Sequence, residues 1–363
     1  MNYRKRKRKE LMLLWLSIGT QIFIYAKLRE AGVSLTVRNI FLFWAVMVFI
    51  AGFFGAMDFG NPYYDFMPGR LAEILRAVAM TWAVITILAF MAVFGIEAVT
   101  LFTPFTKRKL LAAILLTIAG TVYCTAEAYF VRRKDITIHT DKISTDRIRI
   151  VLLTDIHIGG LSTIWHFQRV MKIVDEAKPD ILLLGGDTID GDMSYREREL
   201  SLLAETARKA RYGAYAVNGN HEHYHFLDYD VEGIIRSCGI NMLIDERTEA
   251  GGITIIGLDD RRYGWIKPYL KPEDANRFVL ILKHRPGVPF DAEGRFDLQL
   301  SGHTHGGQFW PVGYFKSMAL HSTQGLSRKF GGYVYVSNGA GFNGAMMRLF
   351  TPPEVAVIDI VRE

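Results

Sequence analysis

Residues 148–158, IRIVLLTDIHI, run from an apolar, β-branched stretch straight into Asp155-Ile156-His157. The composition predicts a strand over Ile148–Thr154 that delivers two polar side chains at its carboxyl end. Outward from it, Thr163–Ala177 carries Trp165, Val170, Ile173 and Val174 at helical spacing, with Ser162 placed to cap it. Pro179-Asp180 breaks that helix, and Ile181–Leu184 is wholly apolar, as a strand buried on both faces of a parallel sheet must be. Tyr195–Lys209 reads as a charged amphipathic helix, Ala214–Val217 as a strand and Val231–Cys238 as a helix. After these come short apolar strands, Ile253–Gly257, Phe278–Leu282, Leu298–Ser301, Val334–Val336 and Val355–Val361, separated by Gly, Pro and Asp. A βαβαβ opening followed by a β-rich half predicts an α/β domain: two mixed β-sheets packed as a sandwich and flanked by helices.

Five polar clusters sit at or just after these strand ends. They are Asp155-Ile156-His157, Gly185-Gly186-Asp187-Thr188-Ile189-Asp190, Gly219-Asn220-His221-Glu222, Lys283-His284-Arg285 and Gly302-His303-Thr304-His305-Gly306-Gly307-Gln308. Loops at the carboxyl ends of strands in α/β sheets converge on one crevice. Carboxylate and amide oxygens mixed with imidazoles, without thiolates, suit Mn, Fe or Zn. Alternation in an extended segment points residues 155 and 157 the same way, and His303 and His305 repeat the arrangement. Singly, each cluster is explained as a turn, a cap or a partly buried histidine; five in order at strand ends point to metal chemistry.

The first third of the chain has another texture. Half of the 363 residues are hydrophobic, and mean hydropathy is +0.14. The excess lies in four uncharged runs, Leu11–Ala26, Asn39–Met57, Ala77–Ile96 and Leu110–Ala126. These predict an N-terminal bundle of about four transmembrane helices, with spans near 11–27, 39–57, 77–97 and 110–131, followed by a catalytic domain over 132–363. No small-x-small cleavage site follows the first run, so it reads as an uncleaved span. Residues 1–131 hold a net charge of +7 and residues 132–363 a net −1. The pI of about 9.1 therefore belongs to the membrane part, and a basic groove for nucleic acid is not expected. Basic residues near the run ends fit topology signals and contacts with membrane lipids. With the N-terminus inside, eleven Lys and Arg lie on the cytoplasmic side and six outside, which predicts a multi-pass cell-membrane protein with a cytoplasmic catalytic domain. Cys124 and Cys238 lie in different parts and form no CxxC, so neither a disulfide nor a thiolate site is expected.

Over residues 148–310 the ordered motifs resemble the calcineurin-like metallophosphoesterase family, whose pattern is D-x-H, G-D-x-x-D, G-N-H-[DE], a lone His and G-H-x-H. The resemblance implies a dinuclear centre in which Asp155, His157 and His305 hold one cation. Asn220, His284 and His303 hold the second, and Asp187 bridges both. It implies His221 as a catalytic acid that binds no metal, oriented by Glu222, and leaves Asp190 as a residue that orders its loop. Two such cations lower the pKa of a water between them and neutralise phosphoryl charge. The four runs and the Gly-Gly-Gln after His305 look closest to a bacterial transmembrane branch, some members of which cleave diacylated UDP-sugar lipid precursors. The expected reaction is hydrolysis of a phosphodiester or pyrophosphate in a phosphorylated small molecule or lipid. Alternatives are a broad-specificity nucleotide or monoester phosphatase, or a non-catalytic metal-binding sensor. A transporter is disfavoured, since Glu97 and Glu127, the carboxylates in the predicted spans, lie near their ends. Tyr263-Gly264-Trp265-Ile266 and Phe309-Trp310 suit either acyl contact or loop anchoring.

Overall fold

The computed structural model describes residues 18–57, 69–101, 103–159, 163–190, 193, 195–223, 230–261, 264–310, 324–342 and 344–363. The chain divides into two compact units, Met1–Ala126 and Glu127–Glu363.

The first unit is helical: α1 (residues 18–30), α2 (Leu35–Met57), α3 (Gly69–Val99) and the start of α4 (Lys107–Tyr129). Ala77–Val99 and Lys107–Tyr129 are long and apolar enough to cross a membrane. The four expected spans are therefore met only in part. Of α2, the segment Leu35–Val46 is apolar, and residues 11–17 of the first expected span lie outside those described. Trp44, Phe94, Leu115 and Val122 are exposed on these helices, apolar faces of the kind that suit lipid rather than water. Glu97 is buried, with Lys27 Nζ at 3.1 Å and Lys109 Nζ at 3.6 Å. That contact gathers the end of α1, the end of α3 and the start of α4.

The second unit is a sandwich of two six-stranded mixed sheets. One has the order β1-β12-β2-β3-β4-β5 and the other β10-β11-β9-β8-β7-β6. The first comprises β1 (Arg132–Thr140), β2 (Arg147–Leu153), β3 (Ile181–Leu184), β4 (Ala214–Ala216), β5 (Asn241–Met242) and β12 (Glu354–Arg362). The second comprises β6 (Glu246–Ala250), β7 (Ile253–Leu258), β8 (Val279–Lys283), β9 (Leu298–Ser301), β10 (Gly325–Lys329) and β11 (Gly332–Val336). In each sheet the central pairs β2-β3-β4 and β7-β8-β9 are parallel. Strand alternation builds two cores from β2: Ile148, Ile150 and Leu152 pack with Leu280, Leu282, Leu298 and Leu300 between the sheets. Val151 and Leu153 pack with the helices α5 (Ile164–Ala177), α6 (Glu197–Arg208) and α7 (Val231–Ser237). Burial on both faces is why these strands are apolar throughout.

The cap of α5 is Thr163, whose side chain accepts from the His166 N–H, and not Ser162, which lies outside the described residues. Trp165 is 71% exposed, so the buried stripe runs instead through His166, Phe167, Val170, Met171, Val174 and Ala177. Lys178 closes the helix in the left-handed conformation, one residue before Pro179. Cys124 and Cys238 are both buried.

Candidate metal centre

The predicted residues leave the ends of five strands, three neighbours in one sheet and two in the other: Asp155 and His157 follow β2, Asp187 and Asp190 follow β3, and Asn220, His221 and Glu222 follow β4. His284 follows β8, and His303 and His305 follow β9. Parallel pairing puts these ends on one edge of each sheet, and the sandwich brings the two edges together.

The side chains fall into overlapping groups. Asp155, His157 and His305 form one, and Asp187, His284 and His303 another; His157, Asp187 and His221 form a third. His305 Nε2 lies 3.3 Å from Asp155 Oδ1 and 3.1 Å from His157 Nε2. His284 Nε2 lies 3.1 Å from Asp187 Oδ2 and 3.2 Å from His303 Nδ1. Donors bound about 2.0–2.2 Å from a shared ion stand roughly 3 Å apart, so this spacing fits a cation in each group. The outer ring nitrogens are committed elsewhere: His157 Nδ1 to Asp190 Oδ2 at 3.1 Å, and His284 Nδ1, donating, to the Gly185 carbonyl at 2.9 Å. Such contacts hold the Nε2 lone pairs toward the cluster. Asn220 is half-buried on the same turn as His221.

Backbone strain marks the same places. Asp155, His157, Asp187, His303, His305 and Gln308 all have φ between 51° and 69°, a region that costs a non-glycine residue of order 1–3 kcal/mol and recurs at functional sites. Close approach is needed too. A Cβ on Gly219 would collide with Asp187 Oδ1.

Glu222 lies on the same turn as His221. It accepts from the backbone N–H groups of Asp187 (2.9 Å), Thr188 (2.6 Å), Ile189 (3.2 Å) and Gly219 (2.7 Å), and so ties two ligand loops together. The carboxylate beside His221 is Asp190, whose Oδ1 lies 3.0 Å from His221 Nδ1. Sequence reading left Asp190 as a loop residue, although its i+3 spacing from Asp187 was the available signal. His221 Nε2 faces the cluster, 3.9 Å from Asp187 Oδ2, and the His221 N–H donates to Asp187 Oδ1 at 2.8 Å.

Burial opposes charge throughout, and neighbours decide the outcome. His284 is pushed up to about 10, because the Asp187 carboxylate outweighs desolvation of the imidazolium. His221 is pushed up to about 9 by Asp190 and Asp187 against the same desolvation. Burial would raise Asp187 and Asp190, but the neighbouring histidines hold both well below the usual carboxylate range. Asp155 is raised by burial. The cluster thus collects positive charge as protons when no metal is bound. A centre that draws cations in is expected to behave in this way.

The calcineurin-like phosphoesterase family matches residues 148–307. An uncharacterized metallophosphoesterase of Aquifex aeolicus is 34% identical over 66% of this chain and 95% of its own length. One from Helicobacter pylori is 30% identical over 63% of each chain. A transmembrane protein with metallophosphoesterase domain of Danio rerio is 30% identical over 69% of this chain and 62% of its own. Fold, site and relatives define a metal-dependent phosphoesterase. The chain belongs to the calcineurin-like phosphoesterase family.

Proposed function

We propose that the chain is a membrane-anchored hydrolase of phosphodiester or pyrophosphate bonds in a lipid-linked substrate, a UDP-sugar lipid precursor being one such molecule. The observation that carries the chemistry is Asp187, standing between two His-containing ligand groups with His221 beside it. Asp155, His157 and His305 would hold one cation, Asn220, His284 and His303 the other, and Asp187 both. Bound Mn, Fe or Zn supplies Lewis-acid charge for the phosphoryl oxygens and an acidified water. His221 supplies the proton: Asp190 holds Nδ1, which leaves Nε2 facing the cluster to donate to the leaving oxygen.

Two features support a lipid substrate and membrane lipids as partners. The helices Ala77–Val99 and Lys107–Tyr129 suit a bilayer. Trp310 and Phe350, 56% and 62% exposed, meet edge to face at 6.5 Å just beyond the His305–Gln308 turn. Ile266 is a fully buried anchor, whereas Trp265 beside it is exposed, so Trp265, Trp310 and Phe350 are the side chains offered for acyl contact. The charge bias of the chain supports a catalytic domain on the cytoplasmic side of a multi-pass cell-membrane protein and argues against nucleic acid as a partner.

The test is a screen of purified Mn-loaded protein in detergent against monoesters, soluble nucleotides, diesters and lipid pyrophosphates. Highest kcat/KM is expected for a lipid pyrophosphate or diester; a preference for soluble nucleotides sinks the lipid assignment. Asp187→Asn and His305→Ala should each abolish hydrolysis, and full activity in both would overturn the ligand assignment.

A further inference from the structure

Arg348 lies outside the matched segment 148–307 and is the largest fully buried side chain among the described residues. Burying a guanidinium is costly unless its donors are used. The Nη donors are spent on carbonyls, while Nε has no hydrogen-bond partner among the described residues. Nη1 donates to His305 O at 3.3 Å and Thr351 O at 2.9 Å, and Nη2 donates to Gly341 O at 2.5 Å and Gly339 O at 3.4 Å.

Three of those carbonyls belong to the turn that carries His305 and to the loop behind Asp155; the fourth, Thr351 O, lies just before β12. In that loop the Ala340 N–H donates to Thr154 O at 2.8 Å and the Gly341 N–H to Asp155 O at 2.9 Å. Contact is so close that a Cβ on Gly341 would collide with the Ile156 carbonyl. His166 of α5 holds the same loop, with Nε2 donating to Ala340 O at 2.6 Å. Gln308 closes it from the other side, its amide donating to Ala345 O at 2.9 Å and Met347 O at 3.2 Å. Arg348 therefore ties together the backbones of two of the three residues in the Asp155/His157/His305 group. The Asp187/His284 side is set by other contacts, the Gly185 carbonyl and the Glu222 carboxylate.

Resting on the two-cation reading above, we propose that Arg348 is a positioning residue for one cation site only. Through their backbones it sets Asp155 and His305, and its loss weakens that site while the Asp187/His284/His303 site still binds.

The experiment titrates metal-stripped full-length protein with Mn(II), following stoichiometry by calorimetry and the spin-coupled signal of a manganese pair by electron paramagnetic resonance. Wild type should take up two ions and show the coupled signal. Arg348→Met should weaken one of them by about 10–100-fold, the usual cost of losing an outer support of a metal ligand, leaving a single-ion signal. Arg348→Lys should restore part of the affinity. Wild-type affinities with an intact coupled signal in Arg348→Met overturn the proposal, as does equal weakening of both ions, which a general loosening would give. Uptake of only one ion by wild type overturns the two-cation reading itself. If Arg348→Met does not fold, hydrogen exchange in wild type decides. Metal loading should slow the amides of 339–341 and 348–351, and unchanged exchange there beside slowing at 303–305 overturns the proposal.

Discussion

His221 meets three groups at once, and its role follows from which atom meets which. Nδ1 faces Asp190 at 3.0 Å, Nε2 faces the cluster, and the ring stands edge-on to His157 at 4.6 Å. His221→Ala should retain two bound metals and lose about 10²–10⁴-fold in kcat, the ordinary contribution of a general acid. Loss of metal instead would make His221 a ligand. Asp190→Asn tests the partner. The Asp190 carboxylate helps hold His221 up at about 9, so removing its charge must lower that pKa. An acid works only while protonated, and the basic limb of the pH–kcat profile should therefore move to lower pH; an unmoved limb would separate Asp190 from the acid. Asp155, His157, Asp187, His303 and His305 were legible because each is a metal-ligand residue type at a strand end. Asp190 was legible only as a motif residue three places after Asp187, and Arg348 not at all. Their parts depend on contacts with residues 31 positions and 43 positions distant in sequence, which local spacing does not encode.

Strand ends do more here than expose side chains. The loops after β3 and β4 are drawn together until Gly219 lies against the Asp187 carboxylate and Glu222 gathers four N–H groups from both. Gly219→Ala should therefore lose bound metal while circular dichroism stays native, because the collision falls on Asp187 and not on either core. Thr163→Ala is the contrasting change. It removes the cap of α5, costing about 1 kcal/mol of stability, and should leave metal content alone; a drop in metal there would mean that helix placement controls the site. The pattern of apolar runs made β2, β3, β7, β8 and β9 readable, since each is buried on both faces. β1 escaped, because an edge strand beginning Arg132-Arg133-Lys134-Asp135 carries charges that a buried strand cannot. The place of β12 between β1 and β2 escaped as well, for a strand's neighbours are set by topology and not by its own residues.

Taken whole, the chain couples an apolar helical unit to a domain whose interior holds a dense set of ionisable groups, and that interior ties stability to pH and metal. In the metal-free protein His284 titrates at about 10 and His221 at about 9, both above the ordinary histidine value of 6.5. A group whose pKa is raised by folding stabilises the fold in its protonated form. This contribution is complete below pH 6.5 and is lost as pH rises through 9 to 10. Metal acts with the opposite sign. Each imidazole must shed its proton to bind, so affinity, and the stabilisation that mass action draws from it, grows over the same window. Chelator-treated protein in detergent should thus melt at progressively lower temperature between pH 6.5 and 9.5, while the gap to the Mn-loaded protein widens. His284→Gln should flatten the metal-free curve, having no proton to lose, and should narrow the gap by weakening a ligand. A metal-free melting temperature that climbs with pH across this window would show that the buried histidines are neutral, and the electrostatic account of the centre would fall with it.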